Sequence, residues 1–174
     1  MIFDLLKNRM PAWLKAAPLA IVAACSPVDA AQDTPAAPLA QSAPEKHPTS
    51  GLRIIDVTVM RGDGPITFKT EHANTPQAQA RGMMFRTEMA DDEAMLFPSD
   101  VPAVRSFWMK NTPISLDIIF IGVDGRISNI ETAVPYSLDS VTSVGAASAV
   151  LEIRGGLAKE LGIVAGNKVE YTLP

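Results

Sequence analysis

Between Ile55 and Leu173 apolar side chains recur at every second position in short runs, and this alternation limits the fold more than any other feature of the chain. Ile55, Val57 and Val59 alternate with Asp56, Thr58 and Met60, and Ile66, Phe68 and Thr70 alternate with Thr67, Lys69 and Glu71. A period of two places one side-chain set in a core and the other in water, which is the mark of a half-buried strand. Between these runs stands Arg61-Gly62-Asp63-Gly64-Pro65. Its Gly, Asp and Pro supply turn geometry, so the two runs predict a hairpin. The Arg-Gly-Asp tripeptide is read as the tip of that hairpin and not as an adhesion signal.

The remaining elements follow the same logic. Thr75-Pro76 offers an N-cap and a first-turn proline and Gly82 a terminating glycine, predicting a short helix over 76–81. Val104–Met109 and Leu116–Ile121 read as apolar strands separated by Lys110-Asn111-Thr112-Pro113. Asp124-Gly125 leads from the second into a strand over 126–134, and Ala149–Arg154 is another. Leu157 and Leu161, one helical turn apart and followed by Gly162, predict a second short helix. Val169, Tyr171 and Leu173 alternate in a last strand. The expected fold is mainly β: a compact antiparallel sandwich or jelly-roll-like barrel with one or two short helices.

That domain is expected to span 51–174, behind two segments of different character. Residues 1–24 carry Lys7, Arg9 and Lys15 ahead of the small apolar run Ala16–Ala24, the pattern of a secretory signal. The run is too short to span a bilayer, which takes about 20 apolar residues. Cys25, the chain's one cysteine, follows directly. This arrangement resembles a bacterial lipoprotein signal, which implies an acylated Cys25 and attachment to a membrane. Ser26 in place of Asp after the cysteine implies, by the same resemblance, the outer membrane. Residues 26–50 are rich in Pro and Ala, with Val28 and Leu39 as their larger apolar groups. Such a stretch buries too little surface to offset its ordering entropy, so 25–50 reads as a disordered tether with His47 in solvent.

Composition excludes several functions. One cysteine rules out a disulfide scaffold, and one Cys with two His cannot close a structural zinc site. A formal net charge of −4 argues against a nucleic-acid partner and means that attachment to anionic head groups must come from lipid rather than charge. No Gly-x-Ser-x-Gly elbow and no phosphate-cradling Gly-x-x-x-x-Gly-Lys loop is present. No cofactor or metal is implied, and no protein partner is identifiable.

The least generic residues are Arg81-Gly82-Met83-Met84-Phe85-Arg86, Met95-Leu96-Phe97, Phe107-Trp108-Met109-Lys110-Asn111-Thr112 and Leu116-Asp117-Ile118-Ile119-Phe120-Ile121, with Glu152 and Gly155-Gly156 beyond. In this order and spacing they resemble the bacterial and archaeal family called domain of unknown function 192, over about Leu52–Leu173. Met84 and Ala94 depart from the family's Gly-Leu-Met and Gly-Met-Leu steps. The resemblance implies a β-rich sandwich of jelly-roll type and carries no established activity.

Strand alternation places Ser106, Trp108 and Lys110 on one face and Phe107 and Met109 on the other, core-facing one. An indole beside Lys110, Asn111 and Arg86 suits a small polar ligand or a glycan, whereas a Trp108 packed under a loop would be structural. Asp117 shares its face with Ile119 and Ile121, so its carboxylate needs a partner, with Arg86, Arg105, Lys110 or main-chain N–H groups available. The preferred reading is a non-catalytic binding or interaction module with its site at Arg86, Trp108, Lys110, Asn111 and Asp117. One alternative is a hydrolase using Asp117 and Glu152 as an acid pair. Another is a Cu(I) binder drawing on Trp108 and on Met60, Met83, Met84, Met89, Met95 and Met109, although methionine is also ordinary core filler.

Overall fold

The computed structural model describes residues 45–174. The signal-like segment, Cys25 and most of the Pro/Ala stretch lie outside them. Among the described residues no helix is long and apolar enough to cross a membrane.

The hairpin forms as the alternation requires. Strand β1 (Ile54–Arg61) pairs antiparallel with β2 (Gly64–His72), with Val57 opposite Phe68 and Arg61 opposite Gly64. Gly64 has φ 109°, a conformation that favours glycine. Helix α1 (Pro76–Arg81) is capped by Thr75, whose side chain accepts from the Ala78 N–H, and it ends at Gly82. Strand β3 (Glu93–Ala103) then lies parallel to β2, because the crossover through α1 brings the chain back to the same edge. Strands β5 (Leu116–Gly122) and β6 (Ile127–Ala133) form the second hairpin, and β8 (Ala147–Arg154) inserts between β5 and β3. After the short helix α2 (Leu157–Glu160), β9 (Lys168–Tyr171) closes against β1. The seven-stranded sheet runs β6-β5-β8-β3-β2-β1-β9, and β4 (Ser106–Phe107) and β7 (Val141–Thr142) make a separate two-stranded ribbon.

The fold is thus mainly β with two short helices, as the alternation requires. Its main sheet is mixed through the β2–β3 pair, and it curls without closing into a barrel. The inner face carries Val57, Phe68, Leu96, Ile119, Leu151 and Val169, sealed by Leu157, Ala158 and Ile163. At the open seam one bridge joins Arg126 to Lys168, and the Val169 N–H donates to Gly125 O at 2.8 Å. The opposite face carries Met95, Phe97, Ile118, Phe120 and Val150 under a cover that includes Met83 and Met109. β5 is buried along its whole length, which is why its sequence reads as a continuous apolar run.

Two expectations need correction. Of the strand expected over Val104–Met109 only Ser106–Phe107 pairs; at Met109 the N–H turns to Ser137 O and the chain leaves the ribbon. His47 is 8% exposed, not in solvent. Residues 45–50 join the domain through Ile54 N–H to Glu45 O and His47 N–H to Leu52 O, both 2.8 Å, and a Lys46–Arg53 bridge. Their composition gives no sign of this, because the partners lie at Leu52–Ile54 and, for Ser50, at Glu71 on β2.

Candidate functional site

Cross-strand register decides which polar residues can meet. On β5 and β8, Asp117 faces Ile153 and Ile118 faces Glu152. A shift of one residue reverses the side-chain direction, so Asp117 and Glu152 point to opposite faces of the sheet and cannot act as a pair. Asp117, 1% exposed, belongs to the inner face. Its Oδ1 accepts from Thr132 Oγ1 (2.7 Å) and the Gly156 N–H (2.9 Å), and its Oδ2 from the Ala158 N–H (2.8 Å). None of the cations weighed as partners reaches it. Main-chain donors at the start of α2 hold it, and it pins that turn to β5.

Arg86 is also engaged within the fold. Its Nη2 donates to both oxygens of buried Glu71, at 2.7 and 2.8 Å. Ser50 Oγ donates to the same carboxylate, and His47 Nδ1 lies 3.3 Å from Arg86 Nη2. Arg86 neutralises an internal acid. The expected five-residue group therefore divides: Asp117 lies behind the sheet, Arg86 beside β2, and Trp108, Lys110 and Asn111 stay together.

Those three sit on a loop with unusual backbone. Trp108 is 51% exposed, and Lys110 Nζ stands 5.2 Å from its ring centroid. Asn111 has φ 57° and its carbonyl accepts from the Phe85 N–H at 2.8 Å, where Phe85 has φ 66°. The next carbonyl, of Thr112, accepts from the Tyr136 N–H at 3.0 Å, where Tyr136 has φ 61°. All three non-glycine residues with left-handed φ among the described residues are thus hydrogen-bonded into one loop. Each costs conformational energy, and the surrounding bonds hold it. Phe85 and Tyr136, like Trp108, have exposed side chains.

Trp108 and the Gly82–Met84 segment both line a cavity of about 180 Å³. Buried Glu152, Phe97, Leu116, Met83 and Met109 line it together with Phe107 and the more exposed Arg81, Arg105 and Trp108. Glu152 is 5% exposed and its Oε2 has no hydrogen-bond partner. Burial pushes this carboxyl up to about 8, so it carries its proton at neutral pH. Arg105 donates to Ser99 Oγ at 2.8 Å and lies 5.5 Å from the Phe107 centroid. Among the described residues it has no carboxylate partner. Burial lowers its pKa. Sequence reasoning weighed Glu152 as half of an acid pair and Arg105 as a partner for Asp117. The register of β8 against β3 and β5 gives Glu152 its actual place, beside Met95 and Ile118.

Of the methionines, Met83, Met84 and Met109 line the cavity, Met95 belongs with Met83 and Met109 to the core cluster on that face, Met89 packs against it, and Met60 is an exposed residue of β1. Among the described residues no group of three or more His, Cys, Asp or Glu is placed to hold a metal ion.

The Glu152 proton has a consequence for stability. Between about 4.5, where this carboxyl ionises unperturbed, and about 8 the folded chain binds more protons than the unfolded one. Its contribution is therefore complete below the lower value and is lost as pH rises through the upper one. Denaturant melts should show Glu152→Gln gaining on the wild type by about 2 kcal/mol between roughly pH 6 and pH 8. A difference constant with pH would mean that the carboxyl is ionised throughout.

Comparison with known proteins agrees with this arrangement of strands. A crystal structure of a protein of unknown function from Novosphingobium aromaticivorans shares 50% sequence identity, covers 75% of this chain and 94% of its own, and superposes with a TM-score of 0.72. A Sinorhizobium meliloti structure, of a candidate transcription regulator, shares 34% identity, covering 69% of this chain and 95% of its own, with a TM-score of 0.66. Among curated proteins none matches. The model of the DUF192 family, described as uncharacterized ACR, matches residues 57–171, from β1 to β9 and so across the entire sheet and the cavity on its outer face. The chain belongs to the DUF192 family.

Proposed function

We propose that this protein is an envelope-anchored, non-catalytic binding module whose small polar or glycan-like ligand enters the cavity beside Trp108. One observation carries the reading: a buried carboxyl without a partner lines a cavity bordered by a half-exposed indole and a guanidinium that has no acid of its own. Groups left unsatisfied in a concave, largely apolar site are those that a ligand completes. Binding is favoured over hydrolysis because Asp117, the expected acid/base residue, lies on the face opposite Glu152 and is occupied by three donors.

The test is a melting panel on the full chain with glucose, N-acetylglucosamine and single amino acids as probes. A probe at a hundredfold excess over its Kd stabilises the native state by about 2.7 kcal/mol, a rise of about 10 °C for a domain of this size. Trp108→Ala should lose at least half of that rise, while Asp117→Asn should keep it. Equal rises in the wild type and Trp108→Ala would remove the indole, and with it this site, from consideration.

The anchor is part of the proposal and rests on the position of Cys25 after a signal-like run. Several acyl chains, at about 0.8 kcal/mol per buried methylene, hold a protein stably on a membrane. Ser26 directs the reading to the outer membrane. Metabolic labelling with a fatty acid should mark the wild type and leave Cys25→Ala unmarked; label retained in the variant defeats the anchor.

A further inference from the structure

The cavity lining holds polar groups of opposite chemistry, a buried carboxyl and guanidiniums, and that combination narrows the ligand. Glu152 is flanked across its strands by Met95 and Ile118, neither of whose side chains can donate to it. Arg81 and Arg105 line the same cavity, yet among the described residues neither forms an ion pair with Glu152, whose Oε2 has no hydrogen-bond partner. Other charges near its row are Glu71 on β2, already paired with Arg86, and Glu131 on β6, on the far side of Ile118.

We propose that the cavity takes a small aminocarboxylate, its ammonium against Glu152 and its carboxylate toward Arg105; this rests on the binding reading above. A simple anion would satisfy Arg105 and leave Glu152 unpartnered. A simple cation would satisfy Glu152 and leave the guanidinium without an acid. A molecule bearing both charges completes both groups. The walls suit its body: the Phe97 and Phe107 rings and the Met83 and Met109 thioethers are apolar and polarisable, and aromatic faces attract an ammonium. The size also fits. A dry protein cavity of about 150 Å³ holds benzene, and this one is about 180 Å³.

Binding would be linked to one proton. The free protein holds Glu152 as the neutral acid at pH 7; the incoming ammonium keeps its own protons and displaces that of Glu152, which leaves to solvent as a carboxylate–ammonium pair forms. No covalent bond is made or broken.

Titration calorimetry of the full chain at pH 7, in phosphate and in Tris, reads this directly, because the two buffers differ in ionisation enthalpy. The probes are δ-aminovalerate, pentylamine and pentanoate. We expect δ-aminovalerate to bind at least about tenfold more tightly than either single-charge analogue, releasing nearly one proton. Glu152→Gln, which removes a buried acid without changing shape, should fold normally by circular dichroism and release none. Arg105→Gln should weaken δ-aminovalerate and leave pentylamine unchanged, a split that general loss of structure does not produce. Pentanoate binding as tightly as δ-aminovalerate, undiminished proton release in Glu152→Gln, or no heat with any of the three probes overturns the aminocarboxylate. None of these touches the binding module itself, which stands or falls on the Trp108→Ala melting comparison.

Discussion

Asp117→Ala should destabilise the protein by about 3–5 kcal/mol, a substantial part of the roughly 5–15 kcal/mol that holds a domain folded. The carboxylate accepts from two main-chain N–H groups at the start of α2 and from the Thr132 hydroxyl, all within 2.9 Å. Alanine leaves the Gly156 and Ala158 N–H groups without an acceptor beside the inner core, and each such group costs about 1–3 kcal/mol. The hydroxyl can rotate and loses less. Nearby backbone offers no way to relax: Gly155 donates to Ser115 O, and a Cβ there would fall within 2.8 Å of the Ser115 carbonyl carbon. Asp117→Asn should cost less, about 2 kcal/mol, since one oxygen persists while the amide nitrogen faces the Ala158 N–H. Urea melts of both variants check this, and a loss below about 1 kcal/mol for Asp117→Ala would show that water replaces the carboxylate. The same experiment separates structure from catalysis, because a general base would lose turnover on conversion to Asn while keeping its stability.

Much of the fold was legible because its signals are local. The Ile54–Arg61 and Gly64–His72 hairpin, the Thr75-Pro76 helix start and the Leu116–Gly122 strand each follow from alternation, a cap or an apolar run within one segment. Strand β3 was harder to see. It is buried on both faces only over Ala94–Phe97, so no alternation shows, and Pro98 and Pro102 read as breakers. Its parallel pairing with β2 depends on a crossover, which leaves no mark on either strand. The site was legible only in part, for a related reason. Period two within Val104–Met109 separates exposed Trp108 from buried Met109 although no strand continues there. Which face Glu152 shares with that indole is a matter of register between β8, β3 and β5, a relation among segments distant in sequence. The strained Phe85, Asn111 and Tyr136 likewise depend on each other across three loops.

Arg86→Met provides the second large effect and asks whether this guanidinium serves the fold or a ligand. Glu71 is nearly inaccessible on β2, and Arg86 Nη2 bonds both of its oxygens. Removing one member of a buried pair strands the other, at about 3–5 kcal/mol, because the desolvation of Glu71 is then uncompensated. Replacing both, as Glu71→Leu with Arg86→Met, should recover most of the loss, since apolar groups of similar volume need no partner there. The loss should also have a location. Ser50 and His47 are held beside the same pair, so hydrogen exchange of the His47 and Ile54 amides, bonded to Leu52 O and Glu45 O, should quicken in Arg86→Met before the central β5 and β8 amides respond. A double variant no more stable than Arg86→Met would assign the cost to lost packing of the arginine stem. An Arg86→Met protein as stable as the wild type but unable to bind a probe of the Trp108 cavity would return Arg86 to the ligand site, and Glu71 would then need another source of neutralisation within the strap of residues 45–50.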